Sequence, residues 1–291
     1  MILARAVAIA LVGAGLVAGT ASDVLPDRAP PRRGGYVVLE ADLHVHSFLG
    51  DGVLWPWDLA LEARRRGLDA IAITNHNQVV AARIGRWIAS RMAMPLVLIG
   101  EEITAPNYHL IAVGIDEAVS GHRSPGSAIA EIHAQGGAAI AAHPTRAFWP
   151  AYDAAAIREL DGAEVTHPLA YWQGPQVLRE FFAMLQRVRG RAAAVGSSDY
   201  HVFASLGVCR TYVFARERSE AAVIEALRQG RTVAFDVEGI AHGDPELIAL
   251  LGTPIAVPGD PPAIHWLARA ACVSALAGAV GLLLLRRSAR H

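Results

Sequence analysis

The sequence predicts an α/β fold, either a barrel or an open sheet, and two observations carry that prediction. Between residues 36 and 243, short β-like runs alternate with helix-period segments, and metal-binding side chains recur where those runs end. Strands alternating with helices imply parallel pairing through right-handed crossovers. In a barrel of this kind the active site collects at the C-terminal ends of the strands, so the second observation locates a site within the fold.

Residues 1–22, "MILARAVAIALVGAGLVAGTAS", carry Arg5, then an apolar stretch, then small residues. They read as a secretory signal, with Gly19 to Ala21 as the cleavage site, or as an uncleaved N-terminal anchor. Residues 23–35, rich in Pro, Arg and Gly, read as a linker. Strands are expected at 36–45, 69–74, 95–103, 110–115, 138–142, 162–165, 192–196 and 211–215, and helices at 56–66, 80–91, 127–135, 176–189 and 219–228. Together they define a domain over 36–243, followed by a Pro/Gly-rich linker over 244–262. Residues 263–285 are long enough to cross a bilayer, and 286–291 form a short tail. His265, Trp266 and Arg269 lie near one end of that run, and Arg286 and Arg287 close the other. The aromatic residue suits an interface and the terminal arginines the cytoplasmic side. Because Arg269 shortens the clean run to 270–285, a buried C-terminal helix is the competing reading. Both ends give one topology, with the termini inside and the middle exported. The expectation is a membrane-tethered, extracytoplasmic domain.

Composition removes several classes. With 53% hydrophobic residues in 291, the chain can bury a full core. A net charge of -1 supplies no basic field for nucleic acid, so no nucleic-acid partner is expected, and no obligate protein partner is inferred. All 26 basic residues are arginine, which excludes a Schiff-base lysine and a lysine-bearing phosphate loop. Cys209 and Cys272 lie in segments of different character and suggest neither a disulfide framework nor a thiolate metal site.

The polar residues at strand ends form the candidate site. "DLHVHSFLGDG" brings His44, His46 and Asp51; "AIAITNHNQ" ends in His76; "LVLIGEEIT" carries Glu101 and Glu102. The next strand opens at His109, "AAIAAHPTR" ends in His143, and "AAAVGSSDYH" ends in Asp199 and His201. Side chains at i and i+2 of a strand share a face, so His44 with His46, and Asp199 with His201, can serve one region. A single H-x-H is weak, but six strand ends bearing imidazole or carboxylate are not. Burying so many ionisable groups in a barrel core without cations would be costly. Imidazole and carboxylate without thiolate suit Zn, Mn or Fe, and the donors outnumber what one tetrahedral ion uses. A multinuclear site is expected.

In order and spacing, "DLHVHS…DG", "ITNHN", "GEEIT", the following histidine, "AHP", "SDYH" and "EALRQGRTVAF" resemble the polymerase and histidinol phosphatase (PHP) family of metal-dependent phosphoesterases, over about residues 36–235. The resemblance implies a distorted seven-stranded β/α barrel with two or three divalent ions at the strand C-termini. It implies as ligands His44, His46, Asp51, His76, Glu102, His109, His143, Asp199 and His201, and it selects Glu102 over Glu101 as the bridging carboxylate. Two positions depart from the family pattern: Asn75 stands where an aspartate is usual before His76, and Gly50 where a serine precedes Asp51. An amide at 75 can still accept a hydrogen bond from an imidazole, but a negative charge is lost.

The expected activity is hydrolysis of a small phosphorylated substrate by a metal-activated hydroxide, with Asp199 or His201 relaying protons. Arg146 is a candidate for holding the phosphate, against a plain surface arginine. His167 in "EVTHP" is a candidate for lining the substrate pocket, against a structural turn. Trp149, Tyr171 and Trp172 are candidates for contacting a base or sugar, against aromatic core residues. The competing classes are a non-catalytic metal-binding membrane module and an amidohydrolase, the latter weakened by the absence of lysine. "GSSD" at Gly196 to Asp199 is not a serine-hydrolase nucleophile turn.

Overall fold

Strand β2 (Tyr36–Val45) is buried at every position after its first, which fits a strand covered on both faces. In the computed structural model the described residues are 2–23, 29–92, 94–119, 124–170, 174–202, 204–252 and 266–288. They fall into two units, Arg28–Pro262 and a second made of Met1–Asp27 with Ala263–His291.

In the larger unit the order is β1 (Arg32–Arg33), β2, α2 (Pro56–Arg65), β3 (Ala70–Ile73), α3 (Val80–Ala89), β4 (Leu96–Ala105), β5 (Tyr108–Val113), α4 (Pro125–Ala134), β6 (Ala138–Ala141), α5 (Ala154–Glu159), β7 (Gly162–Thr166), α6 (Gln176–Arg189), β8 (Ala193–Gly196), β9 (Thr211–Ala215), α7 (Glu220–Arg228), β10 (Thr232–Phe235), β11 (Ala241–Gly243) and α8 (Pro245–Leu251). The strands form one sheet in the order β11-β10-β9-β2-β3-β4-β5-β6-β7-β8. It curls into a nearly closed, barrel-like α/β fold. Hydroxyls complete the seam beside β8: Thr211 Oγ1 accepts from Gly196 N at 3.0 Å and donates to Gly196 O at 2.9 Å, and Thr232 Oγ1 donates to Ala194 O at 2.9 Å.

Pairing is parallel for β2-β3-β4 and β6-β7-β8, as expected, but antiparallel for β4-β5, β5-β6 and β2-β9. The cause between β4 and β5 is length: Pro106 and Asn107 alone separate them, enough for a hairpin and too short for a crossover. A second local effect aims the histidines. Val37, Leu39, Ala41 and Leu43 join the cluster of Ala72, Leu98, Ile140 and Val195, whereas Val45 joins the opposite cluster with Leu59 and Ile73. The register of β2 against β3 shifts between Asp42 and Val45. That irregularity reverses the alternation, so His44 and His46 take the face that Leu43 occupies.

Both expected linkers are partly structured. Arg32–Arg33 pairs with β2 through Gly34 and Gly35, whose φ of 53° and 84° suit a two-residue hairpin. Residues 244–251, expected as linker, instead form α8: Asp244 caps it by accepting from Glu246 N, and Leu247 and Leu251 pack with Val38, Tyr212 and Phe214. The remainder of that linker, 253–262, lies outside the described residues. Helix α5 and strands β10 and β11 also went unexpected; Asp153 caps α5 through Ala155 N and Ala156 N.

In the smaller unit, α1 (Ile2–Asp23) and α9 (Trp266–Ser288) run antiparallel. Both contain a stretch long and apolar enough to cross a membrane, Ile2–Thr20 and Arg269–Arg286. Their backbones touch where glycines allow it: a Cβ on Gly15 would lie 2.6 Å from Ala271 O, and one on Gly278 would lie 2.5 Å from Ala8 O. Ser274 Oγ donates to Leu11 O at 2.8 Å across the pair.

Replacing Thr211 by Val removes the hydroxyl that serves both backbone groups of Gly196. Chemical denaturation should show a loss of about 1–3 kcal/mol, largely recovered by Thr211→Ser.

Candidate metal centre

The site is assembled by the ends of successive strands. β2 delivers His44 and His46. The chain then turns tightly, Gly50 N and Gly52 N both donating to Ser47 O at 2.9 and 3.1 Å, and brings Asp51 Oδ1 to 3.1 Å from His46 Nδ1. A Cβ on Gly52 would lie 2.1 Å from His46 O, so this return admits only glycine. His76 follows β3, Glu102 lies on β4 and His109 on β5. His143 follows β6, His167 follows β7, and Asp199 and His201 follow β8.

Glu102 stands at the centre and is 1% exposed. Its Oε1 lies 2.6 Å from His109 Nδ1 and 3.0 Å from His143 Nε2. Its Oε2 lies 3.3 Å from both His44 Nε2 and His46 Nε2, and 2.9 Å from His76 Nδ1. Asp199 faces it across the same histidines, with Oδ1 3.2 Å from His44 Nε2 and 3.3 Å from His46 Nε2. Asp51 Oδ2 joins His76 Nε2 at 3.2 Å and His201 Nε2 at 3.0 Å. The structure therefore brings together all nine of the expected ligand residues.

The electrostatics follow from burial among opposite charges. Burial alone would hinder ionisation of Glu102, but His44, His109 and His143 hold its carboxyl well below the usual carboxylate range. Asp199 is likewise lowered against its burial, chiefly by His44, with His167 and His46 beside it. Burial opposes protonation of His44, yet Asp199, Glu102 and Glu164 raise it well above the ordinary imidazole value.

Side-chain hydrogen bonding leaves this cluster incomplete. His44 Nε2 and His46 Nε2 lie 3.1 Å apart and face the same two carboxylate oxygens. His143 Nδ1, His167 Nε2 and Asp199 Oδ1 are buried with no hydrogen-bond partner. Several sets of three or four donors, among them His44, His46, Glu102 and Asp199, converge within 4.8 Å. Converging nitrogen and oxygen donors with orphaned atoms fit divalent cations. Backbone strain sits here too. Among the described non-glycine residues, positive φ occurs at Asn77, at His143 (25°) and at Asp199 (46°).

The other expectations divide. Glu101 points away: its Oε1 accepts from Val119 N, and burial pushes its carboxyl up to about 7. Arg146 is not drawn into the cluster; it is exposed, pairs with Glu180 and lies 4.0 Å over the Trp149 ring. His167 is inside the cluster rather than at its rim. Leu169 N donates to its Nδ1 at 3.1 Å, which leaves the neutral ring's proton on Nε2, 3.3 Å from Asp199 Oδ2. Trp149 packs on Phe181 and donates to Pro144 O. Tyr171 and Trp172 lie outside the described residues. Asn75 meets no imidazole: its Oδ1 accepts from Ser47 N at 2.9 Å and its Nδ2 donates to Ser47 O at 3.3 Å. A Cβ on Gly50 would lie 2.3 Å from Asn75 Nδ2, so the two departures from the family pattern are neighbours. An amide can both donate and accept at Ser47, which an ionised aspartate cannot.

Two buried acids escaped the sequence reading. Glu164 Oε1 holds His44 Nδ1 at 3.0 Å and accepts from Ser197 Oγ, while Oε2 accepts from His143 N. Asp42, pushed up to about 6 by burial, accepts from Ser198 N at 3.0 Å and Gly207 N at 2.8 Å and so fixes the segment leading to Asp199. The available signal was an acid in an otherwise apolar strand, as in "GAEVT".

A family model described as PHP-associated matches residues 191–232. An uncharacterized protein of Methanocaldococcus jannaschii is 30% identical over 139 residues, 44% of this chain and 81% of that protein. A two-domain protein from Bacteroides vulgatus, containing a predicted PHP-like metal-dependent phosphoesterase, has a solved structure that superposes with a TM-score of 0.60 at 25% identity. The match covers 77% of this chain and 72% of that one. With a barrel-like sheet and a histidine–carboxylate cluster at its strand ends, the chain is of the metal-binding α/β class. It belongs to the PHP family.

Because Glu164 orients His44 without joining the donors around Glu102, Glu164→Gln should weaken divalent-metal affinity about 10- to 100-fold while the chain remains folded. Calorimetric titration of the metal-free protein measures this.

Proposed function

We propose that the chain is a metal-dependent phosphoesterase anchored to a membrane by both terminal helices. The observation that supports this reading best is the division of Glu102, one oxygen toward His109 and His143, the other toward His44, His46 and His76. A carboxylate split in this way suits two neighbouring cations. His44, His46, Asp51, His76, Glu102, His109, His143, Asp199 and His201 would hold two or three ions of Zn, Mn or Fe. Bound there, divalent ions supply water of lowered pKa and neutralise phosphate charge.

The chain's own residues then divide the remaining work. Glu164 holds His44 through Nδ1 and so keeps its aim, while His167 Nε2 lies 3.3 Å from Asp199 Oδ2 without a hydrogen bond of its own. Asp199 is kept ionised by its imidazoles and is a poor proton carrier. His201 is the better relay of the two because it is partly exposed, with Nδ1 2.9 Å from Asp199 O and Nε2 3.0 Å from Asp51 Oδ2, and relay and metal ligation compete for it. Arg146 reaches a substrate only by leaving Glu180 and Trp149, so the phosphate charge falls mainly to the cations. The substrate is a small phosphorylated molecule, with no nucleic acid and no obligate protein partner.

For the anchors, the proposal is that α1 is retained rather than cleaved. Its glycine contacts and the Ser274–Leu11 hydrogen bond are made with α9, the ends bearing Arg5 and Arg286 lie together, and the catalytic unit is then outside the cytoplasm.

The purified chain should release phosphate from an aryl phosphate ester when loaded with Mn or Zn, and His44→Ala should lower the rate by about a thousandfold or more, comparable to loss of a catalytic group. Equal rates in the two proteins refute the reading. Separately, intact-mass measurement of the membrane-extracted protein should show residues 1–22 present, and Gly15→Leu should loosen α1 from α9. A mature chain beginning after Ala21 refutes retention.

A further inference from the structure

We infer that the ester cleaved at this site carries a hydrocarbon chain: its substrate class is a lipid phosphate drawn from the membrane. This rests on the phosphoesterase reading and adds the substrate to it.

The cluster opens on one side. His44, His46 and Glu102 are buried, whereas Asp51, His76 and His201 are 47%, 35% and 26% exposed, so a substrate arrives past these three. The surface beside them is apolar. Phe48, Leu49, Val53 and Trp55 occupy the loop that carries Asp51, Val202 follows His201, and all five are between 39% and 55% exposed. Scattered single hydrophobics on a surface are ordinary, but four large ones on the loop that carries Asp51, with Val202 next to His201 in the chain, mark a binding surface.

The loop is also built to hold them there. Phe48 N donates to Leu54 O at 2.7 Å across its base, and Gln78 Nε2 donates to Leu49 O at 3.3 Å from the neighbouring segment. The Phe48 ring lies 4.6 Å from Trp55, which stacks on Trp57 at 5.2 Å with the planes 3° apart. An aromatic shelf set in advance loses little entropy on binding.

Charge argues in the same direction. The stretch "SFLGDGVLWPW", Ser47 to Trp57, contains no arginine, and its one charged residue is Asp51. A soluble polyanion or a sugar phosphate would ask this rim for cations and hydrogen-bond donors, and it offers rings and aliphatic groups. The same chain carries two helices long and apolar enough to cross a bilayer, so lipid is the apolar ligand within its reach. In the reaction the phosphorus–oxygen bond to the lipid alcohol breaks and a new one forms to water. The alcohol leaves with a proton from that water.

The test is the full-length, metal-loaded protein in a nonionic detergent at fixed micelle concentration, assayed on alkyl phosphates from methyl to dodecyl. Each methylene leaving water contributes up to about fourfold in kcat/KM, so the series should climb over its first several members. In a Phe48→Ser/Trp55→Ser variant with unchanged metal content the climb should flatten, the dodecyl-to-methyl ratio falling at least tenfold. Micelle partitioning acts equally on both proteins, so the variant isolates the rim. A wild-type series with no chain-length dependence, or a dependence that survives in the variant, overturns the inference while leaving the phosphoesterase reading intact. No hydrolysis of any ester by the wild type overturns both.

Discussion

A single buried carboxylate, Glu102, faces five imidazoles, and the strand ends are arranged around that contact. An ionised acid in a barrel interior is tolerable only if compensated, and here compensation comes from His44, His46, His76, His109 and His143. No one segment could supply them. The barrel gathers strand ends from distant parts of the chain, and local devices refine the aim of each. The irregularity in β2 turns His44 and His46 onto one face, Gly52 lets Asp51 return over His46, and positive φ at His143 and Asp199 is accepted where those residues meet the cluster.

Beneath that cluster lies a layer of acids with different tasks. Glu164 and Asp42 are both wholly buried, yet Glu164 is held low by the histidines around it, whereas Asp42, meeting only hydroxyl and backbone donors, is raised. Charge complementarity, more than depth, sets the state of each. The threonine hydroxyls at the β8 seam belong to the same economy of polar groups, serving backbone atoms that the ladder leaves unserved.

Much of this was legible in the sequence because side-chain chemistry and strand period are local signals. His44, His46 and Asp199 could be read as site residues from their position at strand ends, and the strand expected at 36–45 is β2 itself. What escaped depended on tertiary context. The antiparallel pairing of β5 follows from a two-residue turn, which the alternation of strands and helices conceals. Helix α8 looked like linker because Pro245 and the glycines around it resemble punctuation, although Pro is suited to a first helical turn and Leu247 and Leu251 supply the buried face. Proximity to His143 in sequence suggests Arg146 as a phosphate holder, but Arg146 lies in a turn and pairs with Glu180 of α6. For His167 the sequence leaves a pocket-lining and a turn reading open; the backbone N–H groups of Leu169 and Ala170 both bond to it as in a turn, and the first sets which of its nitrogens faces Asp199.

On this reading the side chains around Glu102 share cations. Elemental analysis of the purified chain, beside calorimetric titration of its metal-free form, measures this most directly. The wild type should carry two or three divalent ions per chain, and Glu102→Gln at least one fewer with the same circular dichroism. A wild type that binds fewer than two ions, or a Glu102→Gln protein that binds as many as the wild type, would contradict it.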